Sequence, residues 1–230
     1  MLKGYKMDKS LNQQTYDRCR KDIMTFALKP GEPVSAAKLA ERYNVSRTPA
    51  REALVRLQSE GMVDIFPQSK SMISKINVTR ARQEWFIRKT LEIAMTDSFF
   101  EKVTPADIEE MRMFAEKCER IGEQPRNHET SYEYLTNDNK FHAVTYRVAG
   151  EDLAAETINS TMAHYSRIRL LVDLDNQYKD RTVADHEELI RLIEAGDKNG
   201  YRAVLTRHLD RVIGDIEQMT IQAPQLFDMG

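Results

Sequence analysis

Cysteine is scarce: Cys19 and Cys118 are the only two in 230 residues, and they lie far apart with no Cys-x-x-Cys. That spacing excludes a disulfide framework and a cysteine zinc site. Long apolar runs are missing too. None approaches the ~20 residues of a membrane helix, and the opening MLKGYKMDKSLNQQ has no apolar core of the signal-peptide kind, so a cytoplasmic protein is expected. There is no fixed-period repeat and no low-complexity tract. Nor is there a Ser-His-Asp arrangement, a P-loop or a glycine-rich dinucleotide motif, which removes the commonest enzyme signatures. What remains is a soluble globular composition, 41% hydrophobic and 30% charged with mean hydropathy −0.59. The chain is long enough for one large domain or two small ones.

The net charge of −2 hides an asymmetry: residues 1–78 hold 14 Lys and Arg against 8 Asp and Glu, and the remainder 20 against 28. A basic first third on an acidic remainder suggests a module that meets a polyanion joined to one that does not, and ordinary scatter of surface charge explains the imbalance equally well. The first third punctuates itself as three helices and a hairpin. A helix over Leu11–Leu28 places Tyr16, Cys19, Ile23, Phe26 and Ala27 near one face and stops at Lys29-Pro30-Gly31. Ser35 caps Ala36–Tyr43, and Asn44 suits the left-handed corner that follows. Ser46 caps a third helix through Ser59 with Pro49 in its first turn, and Gly61 ends it. Met62–Phe66 and Met72–Ile76 are β-leaning around the loop Pro67–Ser71. The outline is a winged helix-turn-helix.

Beyond Thr79 strand signals almost vanish. Helices are predicted over 79–100, 105–123, 129–149, 152–174, 182–195 and 198–222, with Thr104-Pro105 as a cap and Gly150, Gly196 and Asp180-Arg181-Thr182 as breaks. The fold class is mainly α: residues 1–78 a DNA-binding domain with a small β-hairpin wing, and 79–230 an all-helical bundle large enough to enclose a pocket.

A helix in the DNA major groove needs small residues for close approach, hydroxyls and N–H groups for phosphates, and arginine for guanine edges. Val45-Ser46-Arg47-Thr48-Pro49-Ala50-Arg51-Glu52-Ala53-Leu54 supplies them, with Arg47 and Arg51 on one face while Ala50, Ala53, Leu54 and Leu57 can face the core. Two arginines alone would read as a solvated basic face. In the bundle, Asp138 and His142 are four apart on one helix, and His186 and His208 lie on two later ones. Imidazoles with one carboxylate suit a divalent ion, Zn, Ni, Fe or Mn, with zinc the first choice. A lone histidine on an apolar face is more often hydrogen-bonded in a core.

The stretch Leu28-Lys29-Pro30-Gly31-Glu32, Leu39-Ala40, then Asn44 through Leu54, Leu57, Glu60-Gly61-Met62-Val63 and Pro67 resembles the GntR family of bacterial transcription regulators. The resemblance implies that Arg47 and Arg51 contact operator bases and phosphates and that Ser46 and Thr48 bind the backbone. Lys70 stands where the family's wing carries glycine and offers a charge to phosphate. Ala37 stands where some members have a base-reading arginine. The remainder looks like the FCD ligand-binding domain of one GntR subfamily. Its landmarks are Arg88-x-x-Leu91-Glu92, Asp138-Asn139-Lys140-Phe141-His142, Asp185-His186-Glu187, Ala195-Gly196-Asp197 and His208-Leu209. That likeness implies a metal held by Asp138, His142, His186 and His208, with a small carboxylate effector aided by Arg88. A salt bridge to a helical carboxylate is the other role open to Arg88. The expected protein is a ligand-responsive regulator, a repressor binding a two-fold symmetric double-stranded DNA operator as a homodimer, with no membrane partner and no enzymatic activity. A metalloenzyme using the same Asp/His set is the alternative from another class.

Overall fold

The computed structural model describes residues 10–66, 71–175 and 179–228, although the side chains of residues 179–181 and 215 are not described. The chain divides into two compact units, the first ending at Lys75 and the second starting at Ile76.

In the first unit α1 (Leu11–Met24) opens on Ser10, whose side chain accepts from the N–H of Gln13. It ends four residues before the expected Leu28, and the chain turns through Phe26 at φ 57. Tyr16, Cys19, Ile23 and Phe26 are buried as their spacing requires, but Ala27 lies beyond the helix and is exposed. Strand β1 (Pro33–Val34) is too short for any periodicity to announce. Ser35 then accepts from Lys38 N at 3.2 Å to start α2 (Ala36–Tyr43), and Asn44 closes it in the left-handed region, φ 53 and ψ 53. Helix α3 (Arg47–Ser59) follows, and Gly61 at φ 76 leads out of it. Ala50, Ala53, Leu54 and Leu57 on α3 are buried and pack against α1. Strands β2 (Val63–Asp64) and β3 (Ser71–Ile73) pair antiparallel with Val63 opposite Ile73, and β1 joins the other edge of β3 with Pro33 opposite Met72. Proline is tolerated on β1 because it is an edge strand. The sheet order is β1-β3-β2, and the loop at 67–70 that would tip the wing lies outside the described residues.

The second unit begins with β4 (Ile76–Asn77), which pairs in parallel with β5 (Phe227–Asp228) at the far end of the sequence, Ile76 opposite Phe227. Ile76 and Asn77 thereby belong with the helical unit. Between the two strands run α4 (Val78–Ala94), α5 (Thr96–Lys102), α6 (Pro105–Gly122), α7 (His128–Ala149), α8 (Asp152–Thr161), α9 (Ala163–Leu174), α10 (Lys179–Glu194) and α11 (Lys198–Gln222). The cap at Thr104 is a full capping box with Asp107, and Gly150 and Gly196 take φ 81 and 68 at helix ends. Phe99, Met111, Phe141, Tyr165, Leu189, Tyr201 and Leu205 form the centre of the core.

Three expectations change. The helix over 79–100 is two, bending at Met95, which is drawn into the core beside Phe99. The helix over 152–174 is also two. The second starts at Ala163 because the Glu84 carboxylate of α4 accepts the N–H groups of His164 and Tyr165 at 2.9 and 2.8 Å, supplying an N-terminal cap from another helix. Asp180-Arg181-Thr182 is helical, inside the first turns of α10. Among the described residues no helix is long and apolar enough to cross a membrane.

Candidate functional site

The first unit presents Ser46, Arg47, Thr48 and Arg51 exposed at the start of α3, while the helix buries its opposite face. Ser46 occupies the N-cap position without making the side-chain cap bond, so its hydroxyl is not committed to the helix. Two arginines beside the positive end of a helix, with its first N–H groups unsatisfied, make a surface that attracts anions. Ala37 is exposed on α2; Lys70 lies outside the described residues.

In the second unit α7 carries Asp138 and His142 one turn apart, α10 carries His186 and α11 carries His208. All four are buried, and one donor atom from each lies within 4.8 Å of the others. The imidazoles of His142 and His208 face each other nitrogen to nitrogen, Nε2 to Nε2 at 3.2 Å. Their outer nitrogens are committed elsewhere: His142 Nδ1 is 2.9 Å from Glu92 Oε2, and His208 Nδ1 is 3.3 Å from Asp185 Oδ2. With each Nδ1–H donated to a carboxylate, both Nε2 atoms carry lone pairs, and two lone pairs at that distance repel unless a cation sits between them. Burial pushes both imidazoles below their ordinary pKa, His208 to about 4, so neither supplies that cation as a proton near neutrality. His186 completes the set. Its ring stacks on Phe141 at 4.1 Å and its Nε2 lies 3.3 Å from Asp138 Oδ1, yet neither ring nitrogen makes a hydrogen bond of normal geometry.

The outer carboxylates are themselves held. Glu92 accepts from Arg88 Nε at 2.6 Å and from the Tyr146 hydroxyl at 2.5 Å. Burial alone would raise its carboxyl, but Arg88 and then His142 hold it well below the usual carboxylate range. Asp185 accepts from Arg207 at 2.8 Å and pairs with Arg211, and these partners with His208 bring it to about 2 against the effect of burial. Asp138 pairs closely with Arg169, which also reaches Asn139 at 2.7 Å. Three imidazoles and one carboxylate, converging and with two of the imidazoles backed by carboxylates, are a donor set compatible with a divalent metal ion.

A cavity of about 70 Å³ adjoins the cluster, its wall including Arg88, Asp138, Arg169, His208 and Arg211. Arg88 makes the salt bridge to a helical carboxylate, its Nε bonded to Glu92, and it also stands in the cavity wall. Sequence reasoning assigned no role to Glu92 or Asp185, although each stands beside a flagged residue, Glu92 four after Arg88 and Asp185 next to His186. Arg169 carried no signal at all.

An arginine-bearing helix start on a winged head, joined to a helical unit with a buried Asp/His cluster beside a cavity, defines the class of DNA-binding transcription regulators. Residues 11–73 match the gntR family of bacterial regulatory proteins and residues 85–211 match the FCD domain. The chain belongs to the GntR family and carries an FCD domain. It is 30% identical to an HTH-type transcriptional regulator in an unstable DNA locus of Streptomyces ambofaciens, over 92% of this chain and 87% of that one. It is 26% identical to the HTH-type transcriptional repressor RspR of Escherichia coli K12, over 91% and 90%. Its fold matches the solved structure of E. coli McbR/YncC with a TM-score of 0.78, at 22% identity over 92% of this chain and 99% of that one.

Proposed function

We propose that the protein is a ligand-responsive repressor that binds a palindromic operator as a homodimer, with its DNA affinity set by a small carboxylate held beside a metal ion in the helical unit. In this reading Arg47 and Arg51 read base edges and phosphates, Ser46 and Thr48 bind the backbone, and Lys70 adds a phosphate contact from the wing. Asp138, His142, His186 and His208 hold one divalent ion, zinc first. Bound there, the ion supplies a positive charge that a carboxylate can neutralise. Arg88 and Arg169 line the same cavity and add charge-assisted hydrogen bonds to that carboxylate. The observation that carries the reading is the facing pair of lone-pair nitrogens on His142 and His208, an arrangement that a cation relieves.

Helix α4 supports a route from site to junction. It starts at Val78, its Glu84 caps α9, its Arg88 lines the cavity, and its Glu92 holds His142. An effector shifts DNA affinity by its differential affinity for two arrangements of this bundle. The homodimer rests on the arithmetic of half-sites: one head reads few base pairs, and two linked heads multiply affinity without new contacts.

Two measurements test the reading together. Elemental analysis of protein purified without chelator should give one divalent ion per chain. Selection from random double-stranded DNA should enrich a two-fold symmetric site that small carboxylates release. Protein that takes up no stoichiometric metal even after reloading, or an enriched site without symmetry, overturns it.

A further inference from the structure

The cavity wall carries a second polar group one helical turn away from the metal cluster. Four residues before Asp138 on α7 is Tyr134, and four residues after Arg169 on α9 is Asp173. Asp138 and Arg169 touch, so a turn back on one helix and a turn forward on the other bring Tyr134 and Asp173 to the same side. Arg126 confirms the juxtaposition, since its guanidinium lies 5.0 Å over the Tyr134 ring and 3.3 Å from Asp173 Oδ1. Both Tyr134 and Asp173 line the cavity, whereas Arg126 is not in its wall and backs Asp173 from behind. Tyr134 is 5% exposed; its hydroxyl approaches Thr182 and the Asp173 carboxylate approaches Ser131, but neither the hydroxyl nor Asp173 Oδ2 completes a hydrogen bond of full geometry, so each keeps capacity for a ligand. Leu135, Val172 and Leu209 supply apolar wall. The two polar ends are thus separated by about one helical pitch, ~5.4 Å, with hydrocarbon along the way.

We propose that Asp173 and Tyr134 form the distal half of the effector site and select a short monocarboxylate carrying a hydroxyl at its far end, against a dicarboxylate of the same length. This rests on the proposed function, in which the near carboxylate sits beside the metal ion. A hydroxyl can donate to Asp173 Oδ2 and accept from the Tyr134 hydroxyl, which satisfies two buried atoms. A second carboxylate cannot donate to Asp173, and Arg126 behind Asp173 offsets only part of the like charge it meets, so the residue that welcomes the hydroxyl disfavours the diacid. An acid with a plain methyl end fits the apolar wall and leaves both polar atoms unpaired.

The test is isothermal titration of zinc-loaded full-length protein with three four-carbon acids: 4-hydroxybutyrate, succinate and butyrate. The expected order places 4-hydroxybutyrate at least tenfold tighter than succinate and several-fold tighter than butyrate. Asp173→Asn should tighten succinate and bring the first ratio toward one, a gain that a misfolded variant cannot produce. Tyr134→Phe should lower the preference for 4-hydroxybutyrate over butyrate, because only the hydroxyl end accepts from the tyrosine. If wild type takes succinate as tightly as 4-hydroxybutyrate, or Asp173→Asn leaves their ratio unaltered, the distal assignment is overturned and the carboxylate beside the metal stands. If zinc binds stoichiometrically and none of the three acids does, the carboxylate reading falls and the distal assignment falls with it.

Discussion

Replacing His186 with leucine should move metal-free stability and metal binding in opposite directions. The ring is fully buried and stacked on Phe141; its Nε2 lies 3.3 Å from Asp138 Oδ1, but neither nitrogen completes a hydrogen bond of normal geometry. A buried polar group left unsatisfied costs about 1–3 kcal/mol. An apolar side chain of similar size removes that cost and returns up to ~1.5 kcal/mol through imperfect shape. At the middle of both ranges the net expectation is a gain of about 1 kcal/mol, which for a chain of this size raises the midpoint of thermal unfolding by about 2–4 °C. Wild type should instead gain from zinc: at a free concentration a hundred times the dissociation constant the linkage is about 2.7 kcal/mol, or ~5–11 °C. Calorimetry of both proteins in chelator and in buffered zinc reads all four midpoints. His186→Leu should melt above wild type in chelator and below zinc-loaded wild type in zinc, with little response of its own. A chelated variant less stable than chelated wild type would show that Asp138 already satisfies the imidazole, and the argument from an unpartnered ring would fail.

Arg47→Ala or Arg51→Ala should each cost about 1–3 kcal/mol of operator binding and relax specificity at one base pair, read by fluorescence anisotropy on the selected site; unchanged affinity in both removes α3 from the groove. Asp185→Asn should weaken zinc about 10–100-fold through His208, measured by competition with a chromophoric chelator. Acidification should destabilise the metal-free protein through His164, whose pKa is lowered from 6.5 to about 3 by burial and then by Arg167. A histidine depressed in the folded state binds its proton first in the unfolded chain, so its contribution is intact above pH 6.5 and is lost as the pH falls toward 3, by about 1.4 kcal/mol per unit. Glu84, raised to about 6 by burial, works the other way over part of that range. Urea midpoints at pH 7 and 5 should therefore fall less in His164→Gln than in wild type, and equal falls would exclude His164 as the source.

Local grammar wrote most of the fold. Ser35, Asn44, Thr104, Gly150 and Gly196 are short-range devices, so the ends of α2, α3, α6, α7 and α11 could be read to within a residue. The breaks at Met95 and Met162 could not, because no glycine or proline marks them, and the second depends on a carboxylate eighty residues away. The same division runs through the site. The ligand types announce themselves by chemistry and by the four-residue spacing of Asp138 and His142. Glu92, Asp185 and Arg169 matter only through what the packing of α4, α9 and α10 places beside them. Tyr134 and Asp173 are ordinary residues in the sequence, and only the meeting of α7 with α9 brings them to one cavity wall.

The parallel pair of β4 and β5 joins the first residues of the helical unit to its last described ones. Entry and exit of that unit lie one strand spacing apart, about 4.8 Å, so its chain closes almost into a ring. A ring of this kind ties the two ends of the helical unit to each other, so fraying at one end frees the other. Trimming the chain at Ala223 would open the ring and leave Ile76 and Asn77 without their partner strand.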